Sequence, residues 1–218
     1  MIKALIFDFD GTIIDTETPW YLAYKEVYQR YGVDLPLEVW GACIGTSFDV
    51  FNPFEYLKKE SGQSIDPNHI RAETKVIFQQ LMKEQGTRPG VVPYLAKAKE
   101  LGLSVGLASS SNRKWIESYL SSLELTHYFD TVVTSDEVEK VKPDPELYLR
   151  AMASLQVKGE ETIAFEDSKN GLNAAKDAGA YCVIVPNQVT SYMNFENYDL
   201  RISSMDEVEL SSILARFS

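Results

Sequence analysis

Asp8 and Asp10 stand two residues apart at the carboxyl end of an apolar run, in the stretch ALIFDFDGT (4–12). In an extended chain, residues i and i+2 share a face, so the two carboxylates would converge. Burying either without a partner is expensive. A cluster of carboxylates becomes useful once it holds a cation, and an all-oxygen donor set suits Mg²⁺. More donors follow other apolar runs. Ser109-Ser110-Ser111 comes after LSVGLA (103–108), and Glu166-Asp167-Ser168 comes after TIAF (162–165). Lys142, in VKPDPE (141–146), adds a positive charge. Such a set could hold a metal with its carboxylates and bind phosphate oxygens with its lysine and hydroxyls. Asp8 could then approach the phosphorus. Each piece alone has a plainer reading. Asp10-Gly11 is also a turn signal, and the serines could be helix caps. Lys142 could be a solvated residue extended before a proline. Glu166-Asp167-Ser168 could be a strand end followed by an N-cap. The joint occurrence at strand ends is what argues for one site.

The elements needed to bring these groups together are legible as a rhythm. Short apolar strands are expected at 4–9, 103–109, 131–134, 162–165 and 182–185. Helical patterns lie between them, at 92–101, 114–123, from Asp144-Pro145 to about Leu155, 168–178 and finally 206–215. Alternation of this kind predicts an α/β fold, a Rossmann-like doubly wound parallel sheet with helices on both faces. Such sheets bind ligands at the carboxyl ends of their strands, near a topological switch point. Residues 15–85 read differently, as helices only. Thr18-Pro19 predicts a start and Gly32 a stop for the first. A short helix follows Pro36, a third spans 49–59, and Asp66-Pro67 opens a fourth that ends near Gln85. The expected organisation is a core of 1–14 and 86–218 interrupted by an all-helical cap of 15–85.

The chain has 218 residues and a formal net charge of -11. That charge repels phosphate backbones, so no nucleic-acid partner is expected, and attraction for a phosphorylated ligand must be local. Cys43 and Cys182 form no CxxC pair and read as buried thiols of a reducing compartment. The amino terminus lacks a signal-type apolar region, and no apolar stretch approaches the length of a membrane span. A cytoplasmic location is expected, with no membrane partner, and nothing demands more than a monomer. The histidines are His69 and His127; a Ser109–His127 pair has no third member, and GxSxG is absent. No GxxxxGK[ST] loop is present, which excludes P-loop nucleotide hydrolysis.

Four motifs, DFDGT (8–12), LASSS (107–111), VKPDPE (141–146) and FEDS (165–168), resemble in order and spacing those of the haloacid dehalogenase-like superfamily of phosphatases and phosphomutases. Within it, the chain resembles the β-phosphoglucomutase and phosphoglycolate phosphatase-like branch, in which a helical cap follows the first strand. The resemblance implies that Asp8 is the nucleophile and forms an aspartyl-phosphate. It implies that Asp10 is the general acid and base. Thr12, Ser109 and Ser110 would bind phosphate, and Lys142 would bridge Asp8 and the transferring group. Asp8, the Asp10 carbonyl, Asp167 and Glu166 would hold Mg²⁺. A second acidic residue at Asp10 favours phosphoryl chemistry over dehalogenation. The implied partner is a small phosphorylated metabolite.

The cap departs from the mutases of this branch. They carry a histidine in the first cap helix, and a lysine and an arginine around a cap glycine. The matching positions here are Trp20, and Ile44 and Phe48 flanking Gly45, none of which binds a second phosphate. This favours a hydrolase over the alternative, a phosphomutase. Trp20 and Phe48 are candidate substrate contacts, since pockets are mostly apolar, and Asp15 is a candidate hinge or cap residue. An alternative of another class is a phospho-acceptor switch module that binds partners. The long helical insertion and Asp10 argue against it, because a switch needs neither a lid nor a leaving-group acid.

Overall fold

The computed structural model describes residues 1–41 and 52–217. The elements in chain order are β1 (Ala4–Phe7), α1 (Glu17–Arg30), α2 (Leu37–Gly41), α3 (Pro53–Ser61), α4 (Pro67–Met82), α5 (Val91–Glu100), β2 (Ser104–Ala108) and α6 (Arg113–Ser122). They continue with β3 (Thr131–Val133), α7 (Glu146–Leu155), β4 (Thr162–Glu166), α8 (Lys169–Asp177), β5 (Tyr181–Ile184), β6 (Leu200–Arg201) and α9 (Leu210–Arg216). They divide into two compact units. One contains Met1–Ile14, Gly86–Pro186 and Asn194–Ser218; the other contains Asp15–Gln85 and Asn187–Met193.

The first unit is the doubly wound α/β fold. Its six strands run parallel in the order β3-β2-β1-β4-β5-β6. The chain builds outward from β1 in one direction, then crosses back to β4 and builds in the other. Right-handed crossovers therefore put α5 and α6 on one face and α7 and α8 on the other. The strands are buried on both faces, which is why β1 reads as an unbroken apolar run and β4 as one over Ile163–Phe165. Phe7 stacks on Phe165 across β1 and β4 at 4.8 Å, and Tyr94 of α5 meets Phe165 edge-on at 5.6 Å.

Several strand and helix ends differ from expectation: α3 spans Pro53–Ser61 where 49–59 is expected, and α4 ends at Met82, short of Gln85. β1 stops at Phe7 rather than at 9, because the Phe9 carbonyl is taken up by a turn. The last helix starts at Leu210, not at 206. β6 was not foreseen, since two residues carry no periodicity. Thr18 does not cap the first helix: α1 begins at Glu17, and Asp15 accepts hydrogen bonds from the Thr18 N–H at 2.9 Å and the Thr18 hydroxyl at 2.7 Å.

The second unit is helical. α1 packs along α4, burying Tyr24, Val27 and Tyr28 from the former and Ile70, Ile77 and Phe78 from the latter. Asn52 caps α3 and Asp66 caps α4, each before a proline at the first helical position. Asn187–Met193 belongs to this unit although it lies far along the chain. The Asn187 side chain accepts from the N–H groups of Val189 and Thr190, both at 2.9 Å, and the Tyr192 hydroxyl donates to the Leu37 carbonyl at 3.3 Å. Among the described residues, no helix is long and apolar enough to cross a membrane.

Candidate active site

Register sets the level of the site. Phe7 is opposite Leu107 of β2 on one side and Phe165 of β4 on the other. The next residues, Asp8, Ala108 and Glu166, therefore stand at the carboxyl ends of three neighbouring strands, beside the switch point between β1 and β4. The Asp8 N–H donates to the Phe165 carbonyl at 3.0 Å, which keeps the chain extended one residue further. The chain then turns sharply. The Phe9 carbonyl accepts from the N–H groups of Thr12, Ile13 and Ile14, and Gly11 donates to the Ile14 carbonyl at 2.7 Å. Gly11 has a φ of 88°, a left-handed value that a side chain would strain. Arg88 ties this loop down: its guanidinium donates to the carbonyls of Gly11, Val185 and Pro186 at 2.5, 2.7 and 2.7 Å.

Lys142 is the centre of charge. Its Nζ lies 2.5 Å from Asp8 Oδ1 and 2.7 Å from Glu166 Oε1. Its peptide bond to Pro143 is cis. The side chains involved are 5% exposed for Lys142, 9% for Asp8 and 0% for Glu166, so the pairs are screened little by water. Burial works against the Lys142 charge, but Asp8 and Glu166 outweigh it and hold the ammonium pKa above the ordinary lysine value. Burial pushes the Glu166 carboxyl up, Lys142 pulls it down, and burial prevails. The Tyr148 hydroxyl donates to the same Glu166 Oε1 at 2.6 Å, and burial together with that carboxylate raises its pKa well above the phenol range. Ser168 donates to Glu166 Oε2 at 3.3 Å while capping α8 through the Gly171 N–H. Gly171 is required there, because a Cβ would lie 1.9 Å from the Glu166 carboxylate.

Asp8, Glu166 and Asp167 each offer an oxygen, and these oxygens lie within 4.8 Å of one another. Three carboxylates against one ammonium leave excess negative charge. Asp8 Oδ2 is buried with no hydrogen-bond partner, and so is Thr12 Oγ1. A hard divalent cation suits this donor set, and the orphaned Asp8 oxygen gives it a ligand. The Asp10 carboxylate stands apart from the cluster. Its Oδ2 accepts from the Ser111 hydroxyl at 2.6 Å and from Ser109 at 3.5 Å, and its Oδ1 accepts from the Trp115 indole N–H at 3.0 Å.

The structure thus gathers Asp8, Asp10, Thr12, Ser109, Lys142, Glu166 and Asp167 at one end of the sheet. Ser110 is exposed, and its hydroxyl makes none of these bonds. Ser111 makes the shortest bond to Asp10 instead, from a bend after β2 where no periodicity singles out one of the three serines. Trp115 and Tyr148 lie within helices with no local cue to their role. Trp20 lies in the helical unit, stacked on Phe78 at 3.9 Å. Phe48, with Ile44 and Gly45, falls outside the described residues.

The haloacid dehalogenase-like hydrolase family matches residues 5–185. The chain is 50% identical to the "Putative phosphatase YhcW" of Bacillus subtilis (strain 168), over 98% of this chain and 97% of that one. It is 34% identical to the "Phosphorylated carbohydrates phosphatase" of Thermotoga maritima, over 82% of each. The crystal structure of a CbbY mutant from Rhodobacter sphaeroides in complex with xylulose 1,5-bisphosphate superposes with a TM-score of 0.71 at 28% identity, covering 97% of this chain and 98% of that one. The chain belongs to the haloacid dehalogenase-like hydrolases, in the branch of phosphatases and β-phosphoglucomutase-like proteins, and is a hydrolase of phosphate esters.

Proposed function

We propose that the protein hydrolyses a small phosphate monoester, of the phosphorylated-carbohydrate class, through an aspartyl-phosphate on Asp8. The observation that carries this reading is Asp8 itself: one oxygen is paired with Lys142, and the other is buried beside the cluster without a partner. A buried, unpartnered carboxylate oxygen is costly unless something is meant to meet it.

In this reading the Asp8 carboxylate attacks phosphorus while the bond to the ester oxygen breaks. Asp10 gives its proton to the leaving alcohol. Asp10, now ionised, takes a proton from water as that water attacks the phosphorus of the aspartyl-phosphate. Inorganic phosphate leaves, and Asp8 regains its carboxylate. Lys142 neutralises charge that builds on Asp8 and on the phosphoryl oxygens. Thr12 and Ser109 donate to those oxygens, the Thr12 hydroxyl being otherwise without a partner. Asp8, Glu166, Asp167 and the Asp10 carbonyl are the residues that would hold Mg²⁺, which when bound screens the anionic groups from one another. The helical segment 15–85 takes the role of a cap that excludes water during chemistry.

Hydrolysis is favoured over a mutase reaction because Trp20 replaces the mutase histidine and packs flat against Phe78, where it offers no proton. The class of substrate follows from the phosphorylated-carbohydrate phosphatase that the chain resembles. The test is release of inorganic phosphate from p-nitrophenyl phosphate and from a panel of sugar monophosphates with Mg²⁺ present. Release should stop with excess chelator and fall by about 10³-fold or more in Asp8→Asn. Activity that survives either change contradicts the reading. Conversion of β-glucose 1-phosphate into glucose 6-phosphate would turn it into a mutase.

A further inference from the structure

Asp10 rides on a turn and is only partly buried, yet both of its oxygens accept hydrogen bonds from side chains of α6 and the segment before it. Ser111, just before α6, and Trp115, in its first turn, donate to opposite oxygens of its carboxylate at 2.6 and 3.0 Å. We propose that Trp115 is a positioning residue for proton transfer, and that its indole N–H aims the Asp10 carboxylate. This inference rests on the role given to Asp10 above.

The indole is itself held in place by its neighbours. Its ring meets Tyr119 edge-on at 4.6 Å, and Tyr119 tilts against Phe9 at 6.2 Å. Phe9 is the residue before Asp10, so the contacts close a loop back to the carboxylate they orient. The backbone is fixed as well, since the Trp115 N–H donates to Asn112 Oδ1 at 2.9 Å in the N-cap of α6. An indole N–H only donates. It can therefore orient a carboxylate without competing for the proton that Asp10 must carry. Fixed aim matters because a proton carrier misplaced by about 1 Å can lose as much as 10²-fold in rate.

Trp115→Phe keeps a ring against Tyr119 and removes the donor. It should lower kcat for p-nitrophenyl phosphate by about tenfold and leave KM within about twofold, as expected for one hydrogen bond to a charged group. A second measurement needs no change at Trp115. The indole N–H resonance of Trp115, assigned in the intact protein, should move upfield in Asp10→Ala. Unchanged kcat in Trp115→Phe, a rise in KM alone, or an indole resonance blind to Asp10→Ala would each overturn the role. Wild-type protein that leaves every ester intact would overturn the phosphatase reading and this role with it. Turnover in the wild type matched by Trp115→Phe would overturn this role alone.

Discussion

The two units bury different kinds of residue. Among the described residues, the α/β unit buries the carboxylates Asp8, Glu166 and Asp167, with the Lys142 ammonium among them. Among its described residues the helical unit buries polar side chains too, but these are neutral: Thr16, Thr74, Asn187 and Thr190. Its interior is aromatic instead. Tyr24 lies 4.8 Å from Trp40, Trp20 stacks on Phe78, and Tyr28 lies 6.2 Å from Tyr56. A buried charge opposes folding unless it is paired, and a buried ring favours it without one. The α/β unit carries buried charge where the chemistry is proposed, and the described residues of the helical unit carry none comparable. Substitutions in the two should therefore fail in different ways.

The largest effect is expected at Lys142. Lys142→Ala leaves Asp8 and Glu166 buried without their counter-charge, which should cost about 3–5 kcal/mol in urea unfolding and abolish phosphate release. A variant as stable as the wild type would show that the pair does not hold the site. The helical counterpart is Phe78→Ala. It removes a buried ring from Trp20 and should cost about 3 kcal/mol, while kcat for p-nitrophenyl phosphate stays within about threefold. A loss of kcat matching that of Lys142→Ala would erase the distinction between the units. Gly171→Ala comes next. A methyl group pressed into the Glu166 carboxylate should destabilise by about 1–3 kcal/mol. It should also shrink the rise in melting temperature that Mg²⁺ produces in the wild type. An undiminished Mg²⁺ response would remove Glu166 from the ligand set.

The smallest effect is expected at a partly exposed charge of the same α/β unit. Burial alone would raise the pKa of Asp130, but the Lys99 ammonium and the Val105 N–H outweigh it and hold it below the aspartate range. The stabilisation is therefore present above the unfolded pKa of about 3.9 and lost as pH falls through the lower folded value. The stability gap between wild type and Asp130→Asn should be small at neutral pH, because the pair is screened. It should close in the acid range. A gap that widens as pH falls would reverse the assignment.

How much of this could be read in advance depends on whether the signal was local. β1, β2 and β4 announce themselves as short apolar runs ending in polar residues, and burial on both faces explains why. Asp8, Asp10, Lys142, Glu166 and Asp167 are legible because each sits at a strand end or beside a helix start, where topology brings it to the crevice. Tyr148 is silent in sequence because its bond to Glu166 is made from the first turn of α7, across a fully packed interior. Trp115 is silent because its partner lies 105 positions away. Asn187–Met193 gives no sign that it packs with helices far earlier in the chain, since its bonds to that unit are made by a carbonyl and a tyrosine hydroxyl. Asp15 was readable as a cap, but the competing Thr18-Pro19 pair obscured which residue does the capping.

The central claim is that Asp8 becomes phosphorylated during turnover. The most direct measurement is acid quenching of the wild-type protein at millisecond times after mixing with substrate and Mg²⁺, followed by mass analysis of the peptide containing Asp8. The account predicts a transient phosphoryl group on Asp8 that forms before steady-state phosphate release and is absent from Asp8→Asn. Turnover with no phosphoryl group on any residue, or with one on a residue other than Asp8, would contradict it. A phosphoryl group on Asp8 that persists without turnover would favour a switch over an enzyme.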